Sequence, residues 1–249
     1  MVIKVKQNKY DDDVFFDKYS NMSRSKNGLE GAGEWHELKK MLPNFKDKRV
    51  LDLGCGFGWH CRYAVENGAK SVIGIDISQK MLSEAKNKTK CGNIEYICMP
   101  IEDIDFPEES FEVVISSLAL HYIKSFEDVL DRVYKCLSTG GDFVFSVEHP
   151  IFTAQGPQDW YYDDKGNILH WPVDHYFTEG IRNAKFLGEE VIKYHRTLTT
   201  YLNSLIRKGF EITGVVEPKP EKNMLNTVSG MLDELRRPMM LLVSARKRL

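Results

Sequence analysis

No stretch of this 249-residue chain stays apolar for the ~18 residues that a membrane-spanning helix needs. The first ten residues carry lysines but no apolar core of the secretory kind. Both absences argue against secretion and membrane insertion, so the cytoplasm is the expected location. Excess charge is missing too: 34 Lys and Arg stand against 36 Asp and Glu, a net charge of −2. That balance gives no electrostatic reason to expect nucleic acid or an anionic membrane as partner. The one local run, Arg246-Lys247-Arg248, reads as a solvated end. Cysteine is scarce and odd in number (Cys55, Cys61, Cys91, Cys98 and Cys136), with no C-x-x-C pair. This speaks against a disulfide frame or a zinc site. Internal repeats and low-complexity linkers are lacking as well, and nothing in the sequence indicates an oligomeric state. What remains is an ordinary globular composition, 42% hydrophobic and 28% charged, long enough for one large domain or a core with an insertion.

Short apolar runs alternate with amphipathic stretches, the sequence signature of a parallel α/β sheet. Arg49–Leu53 predicts a first strand, and a helix follows from about Trp59 to Asn67, closed by Gly68. Ser71–Asp76 is a second strand, with Ser78 capping a helix that reaches about Lys88. Ile94–Cys98 and Phe111–Ser116 are the third and fourth strands, the latter a continuous run suited to burial on both faces. Ser125 caps a helix to Leu137, Gly140-Gly141 turns the chain, and Phe143–Val147 is a fifth strand. The rhythm breaks after Pro150. Residues 151–195 show no clean helix and hold nine aromatics, with a hairpin expected around Asp164–Asn167. A helix from Thr197 to Gly209 and two strands, Glu211–Val216 and Met239–Ser244, complete the chain. Between those strands Leu225, Val228, Leu232 and Leu235 fall at helical spacing.

The richest stretch is Val50-Leu51-Asp52-Leu53-Gly54-Cys55-Gly56-Phe57-Gly58. A strand enters a turn with glycines at alternate positions, and a helix starts directly after it. Such glycines let the backbone bend tightly and approach a ligand closely, beside helix N–H groups. A dinucleotide fingerprint would place its third glycine at position 59, where this chain has Trp59. Asp76, about 20 residues on at the end of the second strand, can accept both hydroxyls of a ribose.

With Ile73-Gly74-Ile75-Asp76-Ile77-Ser78, Met81 and Ala85 added, the chain resembles the small-molecule S-adenosylmethionine methyltransferases of the ubiquinone and menaquinone type. Glu102–Pro107, Ser110–Val114 and Ser116–Ile123 fit the later motifs, so the resemblance runs over about Val50–Val147. It implies a Rossmann-like α/β fold: a seven-stranded, mostly parallel sheet, an antiparallel edge hairpin, helices on both faces and a cap insertion after the fifth strand. It also implies S-adenosylmethionine as cofactor. Carried over by position, Asp52 and Gly54, Cys55, Gly56 and Gly58 would face the methionine end, and Asp76 the ribose. Ile77 and Met81 would lie against adenine, Ile101 and Glu102 at its edge, Ser117 and Leu118 near the sulfonium. Where the family often has an aspartate after the third strand, this chain reads Met99-Pro100-Ile101-Glu102. The leader, residues 1–45, would fold over the cofactor as a helical segment through Tyr19, Met22 and Arg24. Arg24 could fork onto the methionine carboxylate.

Methyl transfer at carbon needs alignment and, for some acceptors, removal of a proton. His121 follows the fourth strand and His149 the fifth, at the carboxyl ends where open α/β sheets hold ligands. His195 lies just before the helix after the aromatic insert. These three are the candidate bases. The insert at 151–195 would cap a small-molecule methyl acceptor, with its aromatics facing the cavity. A metal-dependent type would need a carboxylate cluster at the ends of the fourth and fifth strands, and only Glu148 is there, so no metal is expected. A nucleic-acid amino-methylating type is disfavoured by Ser116-Ser117-Leu118-Ala119, which lacks its Pro-Pro-aromatic run. Two alternatives stay open: a non-catalytic S-adenosylmethionine-binding sensor or partner subunit, and an enzyme that uses the cofactor without giving up its methyl group.

Overall fold

In the strand β1 (Arg49–Leu53), Val50 packs to one side of the sheet while Leu51 and Leu53 pack to the other. The same period-two division separates Val113 and Ile115 from Val114 in β4, so helices cover both faces. A computed structural model describes residues 6–248 of the chain; the first five residues of the expected leader, and Leu249, lie outside it. The strands in chain order are β1, β2 (Ser71–Asp76), β3 (Ile94–Cys98), β4 (Phe111–Ser117), β5 (Leu137–Glu148), β6 (Tyr161–Tyr162), β7 (Ile168–His170), β8 (Gly180–Phe186), β9 (Glu189–His195), β10 (Phe210–Val216) and β11 (Met240–Lys247). The helices are α1 (Asp13–Ser20), α2 (Ser23–Lys26), α3 (Trp35–Met41), α4 (Trp59–Glu66), α5 (Gln79–Lys88), α6 (Phe126–Cys136), α7 (Pro150–Thr153), α8 (Leu198–Lys208) and α9 (Lys222–Thr227).

Seven strands form the central sheet in the order β10-β11-β5-β4-β1-β2-β3. The run from β3 to β5 is parallel, and β11 lies antiparallel between β5 and β10. This is the Rossmann-like sheet with an antiparallel edge hairpin that the motifs implied. The order reverses beside β1, between β2 and β4, which is where a doubly wound sheet opens a crevice. The helix caps follow the sequence: the Ser78 hydroxyl accepts from the Met81 N–H and the Thr197 hydroxyl from the Thr200 N–H, each at 3.1 Å.

Three expectations change. Arg246 and Lys247 are strand residues rather than a loose end: Arg246 bonds Asp142 at 2.7 and 2.9 Å, and Lys247 bonds the Tyr134 and Leu137 carbonyls. The helical spacing from Leu225 to Leu235 does not become one helix. α9 stops at Thr227, the chain turns at Ser229-Gly230, and Val228, Leu232 and Leu235 are exposed. Their spacing met no apolar partner surface, and spacing alone does not hold a helix. The insert contains, besides the expected β6–β7 hairpin, a second hairpin of β8 and β9.

α6 places Phe126, Val129, Leu130 and Val133 on one face, and Phe126 is sealed between Phe145 and Tyr201. Phe126→Ala should cost roughly 3–5 kcal/mol through the cavity it leaves. Urea denaturation should show this as a lower midpoint with an unchanged slope.

Candidate active site

The glycine turn is fastened to the second strand before any ligand is considered. Gly54 and Cys55 both donate their N–H to the Ile75 carbonyl at 2.9 Å. The Gly56 N–H donates to one oxygen of Asp76, and the Ser78 N–H to the other, each at 2.9 Å. Asp76 thus bridges two loops at the crevice, and burial raises its pKa to about 6. A Cβ on Gly54 would come 2.5 Å from that of Ala119, so this position admits no side chain. A Cβ on Gly56 would meet only Met81 Cε at 3.9 Å, because open space lies beyond it.

That space is a cavity of about 900 Å³. Asp76, Ile77, Met81, Ile101 and Glu102 line one end, and Gly54, Gly56, Ser117 and Leu118 the middle. Leu118 is held in the left-handed region (φ +51°), its N–H shared between the Ser146 carbonyl at 2.9 Å and hydroxyl at 3.1 Å. Such strain in a residue with a side chain marks sites where surrounding structure over-determines the backbone. The far end is made by His121, Tyr122, Glu148, Phe152, Gln158, Lys193 and Tyr194.

The leader closes the mouth. Asp11 accepts from the Ser78 hydroxyl at 2.6 Å and the Lys80 N–H at 3.1 Å, and Lys6 pairs with Asp103 at 2.7 Å. On the opposite bank the Gln7 side chain both accepts from the Ile192 N–H and donates to its carbonyl, at 2.7 and 3.3 Å. Tyr10, Tyr19, Met22 and Arg24 then line the cavity from above. Arg24 is bonded to Glu34, whose second oxygen is buried without a partner among the described residues. These two also line a smaller cavity of about 70 Å³ that shares Gly54, Gly56 and Ser117 with the large one.

At the far end, polar groups interlock. Lys193 donates to Glu148 at 2.5 Å and to Gln158 at 2.8 Å, and Gln158 donates back to Glu148 at 2.8 Å. Burial pushes the Glu148 carboxyl up, but the neighbouring charges and the bonds from Lys193 and Gln158 outweigh it and hold the pKa below its usual range. His121 Nδ1 accepts the Glu148 N–H at 3.3 Å, which leaves the proton of the neutral ring on Nε2. Burial takes the His121 pKa down to about 4, so the ring is neutral at physiological pH.

A model of the methyltransferase domain family matches residues 51–145. A solved structure from Listeria monocytogenes, named as an S-adenosylmethionine-dependent methyltransferase, is 58% identical, with a TM-score of 0.85 over 89% of this chain and 100% of that one. Another, an S-adenosylmethionine-dependent methyltransferase from Mesorhizobium loti, is 45% identical, with a TM-score of 0.81 over 88% of this chain and 100% of that one. An uncharacterised Haemophilus influenzae protein is 36% identical over 96% of both chains. This chain belongs to the S-adenosylmethionine-dependent methyltransferases. The relatives give the cofactor and the reaction class, not the quinone-biosynthesis type.

The methyltransferase's own residues fit that cofactor. Asp76 keeps lone pairs free for a ribose, and Gly56 faces open space. The guanidinium of Arg24 beside the unpartnered oxygen of Glu34 suits an amino acid that carries both charges. Among the described residues no three His, Cys, Asp or Glu side chains cluster as a metal site.

Several sequence candidates stand elsewhere. Asp52 is buried under the turn, with Cys61 Sγ at 3.2 Å, and does not line either cavity. The Cys55 thiol packs towards Gly74, so only the small cavity meets this residue. Gly58 (φ +70°) starts α4, and a Cβ there would sit 2.2 Å from the Tyr96 hydroxyl; it is needed for packing rather than contact. His149 accepts the Ile151 N–H and lies 2.8 Å from Glu217, outside the lining. His195 is sealed between Thr153 and the Tyr176 carbonyl, both at 2.8 Å. Strand-end position brought all three histidines near the crevice, but side-chain direction admits only His121. Of the nine cap aromatics, Phe152, Phe186 and Tyr194 line the cavity, while Trp171 stacks on Phe152 and under Arg237. Sequence reasoning missed Glu34, Lys193 and Gln158. Only Lys193 left a signal, as a lysine on the inward face of β9 between Val191 and His195.

The buried acids predict a pH dependence. Burial raises Asp52 to about 7 and Asp76 to about 6, above the ordinary 3.8. A raised pKa favours the protonated folded form, so this stabilisation is full below pH ~4 and is lost as pH rises towards 7. Asp52→Asn should flatten that decline and raise apo stability at pH 8 by about 2–4 kcal/mol, read as melting temperature. Affinity for S-adenosylhomocysteine should move oppositely, falling below pH 6 as Asp76 loses an acceptor. Asp76→Ala should weaken it at least ~10-fold by calorimetry.

Proposed function

We propose that this methyltransferase acts on a small molecule held between the carboxyl edge of the sheet and the insert at 151–195, with residues 6–45 closing over the cofactor as part of one domain. The observation that carries this reading is the single continuous cavity, which runs from the ribose carboxylate of Asp76 to the insert residues Phe152, Gln158 and Lys193. A nucleic acid or a protein surface would meet the leader and the cap before it met Gly56. Five free cysteines, and no described helix long and apolar enough to cross a membrane, support a cytoplasmic enzyme.

Bound S-adenosylmethionine supplies an activated methyl group whose leaving group is a neutral thioether. The chain's residues supply alignment, worth on the order of 7–11 kcal/mol when the reacting atoms are held in line. Asp76 fixes the ribose. Arg24 and Glu34 fix the amino-acid end, in place of the lone Arg24 fork. Leu118 and Ser117 set the middle of the cavity. The leader and the cap exclude water.

His121 serves as a hydrogen-bond donor to the acceptor and not as a general base, because Nδ1 is engaged by the Glu148 N–H and the ring stays neutral. His121→Gln keeps an N–H in reach and should retain within ~10-fold of the parent rate. Loss of a true base would cost ~10²–10⁴. The pH–rate profile between 5.5 and 8 should carry no ionisation that His121→Gln removes. Function itself is tested with methyl-labelled S-adenosylmethionine and a metabolite extract: a labelled compound of low molecular mass is expected. Label found only in protein or RNA would refute the small-molecule reading.

A further inference from the structure

β9 alternates, and its inward positions carry Val191, Lys193 and His195. A lysine in that series is costly, because removing an ammonium from water needs full compensation. Lys193 is 1% exposed, yet only two of its three N–H groups have partners among the described residues, Glu148 and Gln158. The ammonium lines the cavity with Phe186 and Tyr122, whose ring centroids lie 5.5 and 6.0 Å from it and offer its third N–H no oxygen or nitrogen acceptor. Gln158, which completes the ring, is held at φ +53°, a conformation that costs energy for a residue with a side chain. A brace joining cap to sheet needs neither the spare donor nor the strained partner.

The charge around the cavity points the same way. Six cations line it (Lys6, Lys9, Arg24, Lys124, Lys185 and Lys193) against the carboxylates Asp76, Glu102 and Glu148. Lys6, Arg24 and Lys193 are paired, while Lys9, Lys124 and Lys185 form no ion pair among the described residues. The chain as a whole carries −2, so this excess is local to the cavity. S-adenosylmethionine adds a further net positive charge through its sulfonium. At the far end both Glu148 oxygens are already engaged, and His121 presents an N–H. Donors there outnumber free acceptors, and a cationic acceptor molecule would meet repulsion from cofactor and wall alike.

We propose that the methyl acceptor is a small organic anion whose anionic group is held by Lys193, with Lys124 and Lys185 drawing it in from the rim. This rests on the small-molecule reading above and deepens it.

The test divides a metabolite extract on an anion-exchange resin at pH 7 before reaction. Each fraction is then incubated with the enzyme and methyl-labelled S-adenosylmethionine. Methyl-accepting activity should come from the retained fraction; activity confined to the flow-through would overturn the proposal. With the active fraction, Lys193→Met should raise the half-saturating amount at least tenfold, while calorimetry shows S-adenosylhomocysteine bound as in the parent. Should Lys193→Met not fold, the double variant Lys124→Gln, Lys185→Gln carries the test. It should lower kcat/KM several-fold and flatten its fall with ionic strength, because steering by exposed charge is screened by salt. If the variants that fold leave saturation and salt dependence unchanged, Lys193 is only a brace and the anion is refuted. Label in no fraction, with S-adenosylhomocysteine still binding, would instead remove the small-molecule reading beneath it.

Discussion

One carboxylate holds the site together. Asp76 ends β2 and accepts the N–H of Gly56 with one oxygen and that of Ser78 with the other. The first bond fixes the glycine turn after β1; the second fixes the start of α5. The Ser78 hydroxyl then accepts from the Met81 N–H and donates to Asp11 of the leader. Turn, helix and leader are therefore ordered from one buried charge. Charge-assisted bonds to backbone are strong enough for this, and burial strengthens them further by lowering the local dielectric. The cost is a carboxyl group whose pKa sits near 6, close to physiological pH.

Much of this was legible in the sequence because it is local. The turn, Asp76, Ser78 and Met81 lie within one β-turn-α-β-α stretch, where strand register and helix caps fix relative positions. Core strands were legible for the same reason: Val113, Val114 and Ile115 form a continuous apolar run, and the structure buries all three. The far end of the cavity was not legible. It depends on side-chain direction at residues distant in sequence, and position at a strand end does not fix direction. His149 and His195 illustrate this: both come near the crevice, and both turn into structural bonds. Asp52 illustrates it within the motif itself: period two sends its side chain to the face opposite Leu51 and Leu53, against Cys61, and none of the three lines the cavity.

The cap divides in the same way. Its aromatic richness predicted rings facing the cavity, but six of the nine do not line it. Trp171 and Phe152 stack, and Arg237 lies over Trp171 with its centre 4.0 Å from the ring. Cation–π contact in a desolvated place stabilises such a stack by about 2 kcal/mol. The cavity side is left to Phe152, Phe186 and Tyr194, with Lys193 among them.

The fastening of Gln7 to Ile192 joins residues 185 apart in sequence. During synthesis Gln7 is made well before its dock on β9, which exists only after nearly two hundred further residues have been added. At ~5–20 residues per second that wait is roughly 10–40 s. The Gln7 end of this segment thus waits for its dock, although Asp11 can reach Ser78 much sooner. Through that interval the crevice lacks the bank that β9 forms, and on that side it stands open.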